Sequence, residues 1–401
     1  MNKTGMQPEL TFKANVGAGR HGWLRLTPAH STRLVSQLIK DDPRGPLLEP
    51  FAGTGTTVLA ASEHSVAAHG VDINPFLIWL CETKSLDYGH EAIGEAEQRF
   101  RYAAARAAEN AKCDPPWLPR MNNIEKWWSP EAVSWLGWLH DGLGLSEDVH
   151  MGTQRLLAVA FCQLMIGCAH VSFGHQSMSL KERSATLFDP TDLVNGQIER
   201  ILGDASTPLP DAERRFFLGD STILGAVLPG VKYQRVVTSP PYANRVSYLR
   251  ELRPYMIWLG FLSEPRDAGE LDWRAIGGTW GCATSNVAKW EPENSDDADR
   301  VFDGRALEEI RQQSDVLARY VLKYFIDAER HIASLAGVLA SGARVDYVVG
   351  NSKYYDTMVH TEELYARLFR RQGFEHVSVH LVRKRSSKKE LFEYRVEAWM
   401  P

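Results

Sequence analysis

Cysteine is scarce in this chain of 401 residues, and its five cysteines are scattered rather than grouped in the close pairs that zinc sites use. Structural disulfides and a metal cluster are therefore not expected. Because free cysteine is among the most frequently buried residue types, we expect reduced, buried thiols instead. The five residues are Cys81, Cys113, Cys162, Cys168 and Cys282.

The chain also lacks a long apolar run and an excess of positive charge. No stretch approaches the roughly 20 apolar residues that cross a bilayer, and no apolar signal core follows Met1-Asn2-Lys3-Thr4. We therefore expect a cytoplasmic protein with no membrane partner. The net charge is −5 and the pI is about 6.2, so nucleic-acid binding would require a local basic face.

The remaining composition is typical of a globular protein. Hydrophobic residues make up 44% and charged residues 24%, and twelve tryptophans indicate stacking surfaces or bulky packing between elements. This length exceeds the usual single core, so we expect one large catalytic domain with insertions, or two domains.

The order of the predicted elements indicates a doubly wound sheet. Pro28 to Lys40 has the apolar spacing of a helix, residues 45–51 predict a short strand, Thr56 to Ala68 a helix and His69 to Ile73 a second strand. This is the opening strand–helix–strand unit of such a fold.

The middle of the chain interrupts that alternation. Residues 91–199 have helical patterns, with a polar loop near 170–179, and short apolar strands follow at 215–220 and 235–238. Residues 264–303 are predicted to be irregular. Beyond them the patterns predict one long helix and three late strands: Leu307 to Leu335, then Ala343 to Val349, His376 to Val382 and Tyr394 to Met400.

The segment Phe51-Ala52-Gly53-Thr54-Gly55-Thr56-Thr57 lies between a predicted strand and helix. Its two glycines suit a close backbone approach to a ligand, and Asp72 follows about twenty residues later, where a carboxylate can accept hydrogen bonds from ribose hydroxyls. Together they predict a nucleoside cofactor. Val58 replaces the third glycine of the dinucleotide pattern, which disfavours NAD. A plain tight turn followed by a surface aspartate is the alternative.

Two further segments sit where strands end. Asp220 and Ser221 can hydrogen-bond an adenine amino group, although a Gly-Asp-Ser turn is more often only a turn. Thr238-Ser239-Pro240-Pro241-Tyr242 follows the strand at 235–237. Its prolines fix the backbone, so that carbonyls and Ser239 act as acceptors while Tyr242 offers an aromatic face. A surface polyproline turn is the alternative, which the placement after a buried strand disfavours.

Such a loop suits chemistry at an exocyclic amino group of a base. That nitrogen is a poor nucleophile because its lone pair is delocalised into the ring. Acceptors fixed around its two hydrogens would orient it and stabilise the developing positive charge. The target atom is buried in a duplex, so the base must swing out, and Tyr242 is then the natural stacking partner.

The motifs Glu49-Pro50-Phe51-Ala52-Gly53-Thr54-Gly55 and Thr238-Ser239-Pro240-Pro241-Tyr242 together resemble the amino-group DNA methyltransferases, which modify N4 of cytosine or N6 of adenine. The resemblance implies an α/β, Rossmann-like, doubly wound methyltransferase sheet with a large helical insertion. It implies S-adenosylmethionine as cofactor and double-stranded DNA, with a flipped-out base, as partner. The motif order is one of the family's permuted arrangements, and the long insertion departs from its compact members.

The resemblance also assigns roles to residues. It implies that the cofactor is bound by His21, Trp23, Ser31, Glu49, Phe51, Ala52, Gly53, Thr54, Gly55, Thr56, Asp72, Ile73, Asp220 and Ser221. The implied catalytic residues are Ser239, Pro240, Pro241 and Tyr242. A serine at the first loop position is commoner in the cytosine enzymes, which favours N4 of cytosine over N6 of adenine. No metal is needed.

With this family in view, the chain divides into five parts. Residues 1–90 are the cofactor-binding part of the catalytic domain, 91–214 the helical insertion and candidate target-recognition region, and 215–261 the catalytic-loop part. Residues 262–305 are an irregular insertion that is a candidate DNA contact, and 306–401 complete the catalytic domain.

Candidate DNA contacts follow the catalytic loop. Arg245, Tyr248 and Arg250 are predicted to bind substrate, and phosphate contacts would make binding salt-sensitive. The basic run at 383–389 is as readily a solvated loop as a DNA contact. Asn351 either contacts substrate or caps a turn.

Other functions use the same chemistry or fold. An adenine-specific or RNA methyltransferase shares the amino-group reaction, and a hydride-transfer enzyme shares the sheet. An inactive DNA-binding subunit is a further alternative, which the intact Ser-Pro-Pro-Tyr loop disfavours. The family implies a restriction-modification or related system, and whether a cognate restriction endonuclease accompanies the chain is open.

Overall fold

The computed structural model describes residues 10–24, 26, 29–172, 179–180, 188–244, 247–279, 282–293, 300–302, 304–385 and 390–401. Its helices are α1 (Thr32–Asp41), α2 (Thr56–Glu63), α3 (Pro75–Ser85), α4 (His90–Asn110), α5 (Pro130–Gly142), α6 (Gly152–Gly167), α7 (Thr191–Ser206), α8 (Leu224–Val227), α9 (Tyr248–Trp258), α10 (Pro265–Arg274), α11 (Cys282–Lys289), α12 (Gly304–Gln313), α13 (Asp315–Ala336) and α14 (Thr361–Arg371). Its strands are β1 (Leu47–Glu49), β2 (Ala68–Asp72), β3 (Val171–Ser172), β4 (Ser179–Leu180), β5 (Arg214–Leu218), β6 (Tyr233–Thr238), β7 (Leu339–Gly350), β8 (Ser352–Tyr354), β9 (Thr357–Val359), β10 (Glu375–Lys384) and β11 (Phe392–Trp399).

A seven-stranded sheet in the order β10-β11-β7-β6-β1-β2-β5 organises the molecule. The five strands from β7 to β5 are parallel, and β11 is antiparallel to both of its neighbours. The chain moves outward in one direction from β1 and in the other from β6. Ligands of open α/β sheets bind at such a switch point, beyond the carboxyl ends of the strands. The α/β prediction is confirmed.

Alternating side chains of the central strands face two helical layers. Leu47 of β1 packs in an apolar cluster with Val35 of α1 and Val58 of α2. The next residue, Leu48, packs in a different cluster with Phe325 of α13. Successive strand residues point to opposite faces, so an apolar strand of this kind requires cover on both sides.

The helical insertion shares one apolar core with the sheet's own helices. Trp135 of α5 and Phe161 of α6 belong to the same cluster as Trp79 of α3 and Trp258 of α9. The predicted tryptophan packing is therefore found here. The five-part division of the chain stays a prediction.

Several predicted boundaries were wrong for local reasons. The first helix begins at Thr32 rather than Pro28, because the Ser31 side chain caps it. The long helix after Leu307 is two helices, divided where Ser314 caps α13. Residues 264–303, predicted to be irregular, contain α10 and α11, and α10 opens with a capping box between Glu264 and Asp267. Part of the polar loop near 170–179 lies outside the described residues.

A buried ionic cluster joins β6 to β7. Arg235 and Asp346 are both fully buried and paired, and Arg344 lies 3.2 Å and Arg395 3.6 Å from the Asp346 carboxylate. These are charge contacts rather than aligned hydrogen bonds. Removing one partner of such a pair leaves a buried charge uncompensated.

Candidate active site

A cavity of about 1270 Å³ opens where β1, β2, β5 and β6 end, and both sequence motifs line it. Cavities of this kind at the switch point are the usual ligand sites of α/β sheets. The predicted residues on its wall are Ser31, Phe51, Gly53, Thr54, Asp72, Ile73, Asp220, Ser221, Ser239, Pro240, Pro241, Tyr242, Tyr248 and Arg250.

The glycine loop depends on its glycines for geometry. Gly53 and Gly55 have φ of +52° and +78°, in the left-handed region that favours glycine. A Cβ on Gly55 would also lie 2.9 Å from the Cys81 sulfur. Lys84 donates a hydrogen bond to the Thr54 carbonyl at 3.0 Å from beneath the loop, and burial lowers the pKa of Lys84 to about 8.

Asp72 faces the cavity from the end of β2. Its two oxygens each accept one backbone N–H at 2.9 Å, from Gly53 and from Asn74. Burial raises the pKa of Asp72 to about 6, although these N–H groups favour the charged form. A carboxylate has about four acceptor positions, so this arrangement leaves acceptors for a ligand.

Asp220 and Phe51 stand on a wall supported by a histidine that the sequence did not single out. Asp220 accepts two hydrogen bonds at 2.8 Å from Thr222, both on Oδ1. The ring of Phe51 packs 4.7 Å from that of His331, which also contacts the Ser221 carbonyl at 3.0 Å. Burial lowers the pKa of His331 to about 4, so the neutral ring donates through Nδ1 to that carbonyl.

Two tyrosines hold the Ser-Pro-Pro-Tyr loop, residues 239–242. The Tyr242 N–H donates to the Tyr248 hydroxyl at 2.8 Å, and the Tyr324 hydroxyl donates to the Pro241 carbonyl at 2.6 Å. Tyr248 was predicted as a substrate contact. It lines the cavity, but its hydroxyl is used by the loop backbone.

The Tyr242 side chain is anchored by the C-terminal hairpin, which consists of the antiparallel strands β10 and β11. Its hydroxyl lies 3.4 Å from Ser239 Oγ and donates to Glu393 at 3.2 Å. Arg383 binds both oxygens of Glu393 at 2.7 Å, and the Arg385 guanidinium lies 5.0 Å from the Tyr242 ring centre. Burial raises the pKa of Tyr242, so this residue is a neutral phenol at physiological pH. No sequence motif pointed to Glu393.

Some predicted cofactor residues are placed elsewhere. His21 is buried and pairs with Glu63 at 3.1 Å, while Trp23 is buried and donates to Asp204 at 3.0 Å. Neither lines the cavity. Other predicted residues that lie behind the cavity wall rather than on it are Glu49, Ala52, Gly55 and Thr56.

Asn351 and Arg250, two predicted substrate contacts, differ in exposure. Asn351 is buried, and its amide bonds the backbone of Glu390 and of Phe392, at 3.1 and 2.8 Å, which is a structural role. Arg250 is exposed on the cavity rim. Arg245 and residues 386–389 of the basic run lie outside the described residues.

His30 is a cavity residue that the sequence reasoning missed. Both of its ring nitrogens are buried and have no hydrogen-bond partner in the described structure. Burial lowers its pKa to about 4. An orphaned polar side chain on a cavity wall is the expected mark of a site that receives a polar ligand.

Metal-ligating groups, membrane-spanning helices and cysteine exposure can each be assessed over the described residues. No group of three or more metal-ligating side chains occurs there, and no helix among them is long and apolar enough to cross a bilayer. Cys81 and Cys162 are buried as expected, whereas Cys113 is exposed.

Comparison with known proteins gives related chains over nearly the whole length. The chain is 21% identical over 404 residues to the Type II methyltransferases M.AvaI of Nostoc sp. and of Anabaena variabilis, covering 91% of this chain and 81% of each relative. It is 21% identical over 446 residues to the Type II methyltransferase M.BsoBI of Geobacillus stearothermophilus, covering 96% of this chain and 85% of the relative. No family model matches the chain.

Proposed function

We propose that this chain, which belongs with the methyltransferases its motifs resemble, transfers the methyl group of S-adenosylmethionine to N4 of a flipped-out cytosine in double-stranded DNA. The observation that carries the proposal is the meeting of the glycine loop and the Ser-Pro-Pro-Tyr loop on one cavity. Because the relatives are Type II methyltransferases, we place the reaction in a restriction-modification system.

The cavity residues fit the proposed cofactor. When bound, S-adenosylmethionine supplies an electrophilic methyl group on a sulfonium. Asp72 would accept hydrogen bonds from the ribose with the acceptor positions left by Gly53 and Asn74. Asp220 and Ser221 would hold the adenine, and the orphaned His30 and neighbouring Ser31 would meet the amino-acid end.

The catalytic loop would orient the base's amino group. Its Pro241 carbonyl already accepts one hydrogen bond from Tyr324. Ser239 Oγ and the carbonyls of Ser239 and Pro240 would supply the acceptors. These groups would hold the two amino hydrogens and stabilise the positive charge that develops on nitrogen. Tyr242 would stack on the base, since its hydroxyl and ring are fixed before substrate arrives.

Mass spectrometry of nucleosides tests the proposal directly. The purified protein is incubated with methyl-labelled cofactor and, separately, with DNA and with RNA, and Ser239→Ala provides the matched control. Labelled N4-methylcytosine from DNA is the expected result. N6-methyladenine would overturn the base assignment, and label confined to RNA would overturn the substrate. Absence of label in both, with cofactor binding demonstrated by calorimetry, would overturn the enzymatic assignment.

A further inference from the structure

The C-terminal hairpin brings two arginines to the catalytic end of the cavity. Arg383 lies on β10, Arg385 follows its end, and both line the cavity together with Ser239 and Tyr242. They come from the predicted basic run, which the sequence left undecided between a solvated loop and a DNA contact. The two arginines differ in whether a carboxylate is paired with them, and this difference indicates different roles.

The charge of Arg383 is already neutralised. Its Nη2 donates to Glu393 Oε1 at 2.7 Å, and its Nε makes a charge contact with Oε2 at the same distance. Glu393 in turn accepts from the Tyr242 hydroxyl. Arg383 therefore fixes Tyr242 through Glu393 and has no unneutralised charge for a substrate.

Arg385 is held in place without being neutralised. One of its N–H groups donates to the Asn351 carbonyl at 2.9 Å, and its guanidinium rests over the Tyr242 ring. Among the described residues no carboxylate is paired with it. Guanidinium has five N–H donors, so most of them are left for a ligand.

The backbone around Arg385 fixes the position of this residue. A Cβ on Gly350 would lie 2.4 Å from Arg385 Nη1 and 2.9 Å from Tyr242 Cε2, so only glycine leaves room for both side chains. The backbone N–H of Arg385 donates to the Leu391 carbonyl at 2.7 Å. The side-chain amide of Asn351 connects the end of β7 to the start of β11. The charge is thus presented at a fixed position beside the catalytic loop.

We propose that Arg385 binds a backbone phosphate of the target strand next to the flipped nucleotide. This assignment rests on the proposed function and adds a substrate contact to it. Guanidinium matches phosphate geometry, and a phosphate lies one bond beyond the sugar of any nucleotide whose base enters the loop. Arg383 is a positioning residue for Tyr242.

Salt dependence of DNA binding tests the assignment. The probe is a fluorescein-labelled DNA duplex of a sequence that the wild-type protein methylates, and S-adenosylhomocysteine replaces the cofactor to prevent turnover. Arg385→Gln should make the slope of log affinity against log salt shallower by about 0.7 to 0.9, the value for one lost phosphate contact. Arg385→Lys should retain the wild-type slope, because it keeps the charge.

Two matched variants distinguish a phosphate contact from the positioning of Tyr242. Arg383→Gln should lower kcat and leave the salt slope unchanged. Arg215→Gln removes an exposed, paired arginine near the amino end of β5, away from the cleft, and should change neither quantity. Calorimetric binding of S-adenosylhomocysteine should be the same in all variants, which shows that each is folded.

The outcomes distinguish the two proposals. If the wild type methylates DNA and Arg385→Gln lowers kcat with an unchanged slope, Arg385 only supports Tyr242 and the phosphate assignment is wrong. If the wild type binds cofactor and methylates no DNA, the proposed function fails and this assignment fails with it.

Discussion

Glu49 joins the two motifs through a single buried carboxyl group. Its side chain is 3% exposed, and Oε1 accepts the Phe51 N–H at 3.1 Å and the Thr238 hydroxyl, while Oε2 accepts from the Thr57 hydroxyl at 2.7 Å. Burial nevertheless raises the pKa of Glu49 from 4.5 to about 8, which means that the cost of removing a carboxylate from water exceeds the gain from these donors.

Because the pKa of Glu49 is raised in the folded protein, its contribution to the free energy of unfolding decreases as pH rises. The folded protein holds this proton more tightly than the unfolded chain, so the contribution is fully present below pH 4.5 and is lost as pH rises toward 8. At about 1.4 kcal/mol per pH unit between the two pKa values, the loss is on the order of 5 kcal/mol in the free energy of unfolding.

Glu49→Gln removes the titration and keeps the shape. Glutamine's carbonyl oxygen can take the place of Oε1 and accept from Phe51 and Thr238, and its amide can donate to the Thr57 hydroxyl. We therefore expect the variant to be close to the wild type in stability near pH 5. Above pH 8 it should be the more stable protein by several kcal/mol.

Urea unfolding at pH 5, 7 and 9 measures this difference. Groups that titrate identically in both proteins cancel when the two free energies of unfolding are subtracted. Glu97→Gln, which alters an exposed residue paired with Arg101, corrects for the general effect of removing one negative charge. A Glu49→Gln difference that does not change with pH, or that favours the wild type at pH 9, would refute the reasoning.

Four further substitutions test the site and the sheet. Ser239→Ala should retain cofactor binding and lower kcat on the order of 100-fold, whereas Asp72→Ala should weaken cofactor binding by roughly 10- to 100-fold. Calorimetry measures the cofactor affinity and initial rates measure kcat. Equal loss of both properties in each variant would contradict the division of roles. Asp346→Ala removes the main partner of the fully buried Arg235, so urea titration should show that the free energy of unfolding falls by about 3 to 5 kcal/mol. A decrease of less than about 1 kcal/mol would mean that water or the remaining carboxylates compensate the Arg235 charge. Gly350→Ala should lower kcat at unchanged cofactor affinity, because the added methyl displaces Tyr242 and Arg385; full activity would show that the hairpin adapts without cost.

Local sequence signals predicted the centre of the sheet well. The strand-turn-helix at 47–63 and the strand ending at Asp72 are fixed by short-range features, namely apolar runs and a glycine turn. The Ser-Pro-Pro-Tyr loop was placed correctly after β6 for the same reason. These elements needed no knowledge of distant contacts.

The supporting residues could not be predicted in this way. Glu393 lies 151 residues beyond Tyr242, and His331 lies 110 residues beyond Ser221. Each is an ordinary polar residue within a strand or helix, and only the folded sheet shows which group it meets. His21 and Trp23 failed in the opposite direction, because polar and aromatic groups near a motif suggest a ligand site, whereas their observed partners are the side chains of Glu63 and Asp204.

Sheet register explains why these supports converge on the catalytic loop. Leu48 of β1 pairs with Val236 of β6, so the two strands end side by side, and the Thr238 hydroxyl donates to Glu49 there. Thr238 also pairs with Tyr347 of β7, which places the loop between the half of the sheet that carries the glycine loop and the half that carries the hairpin. Glu49 therefore restrains the loop from the first half, and Glu393 restrains Tyr242 from the second. Substituting Glu393 should lower the rate of methyl transfer before it weakens cofactor binding, because its carboxylate accepts from Tyr242 and Arg383, whereas that of Glu49 also accepts from Phe51 of the glycine loop.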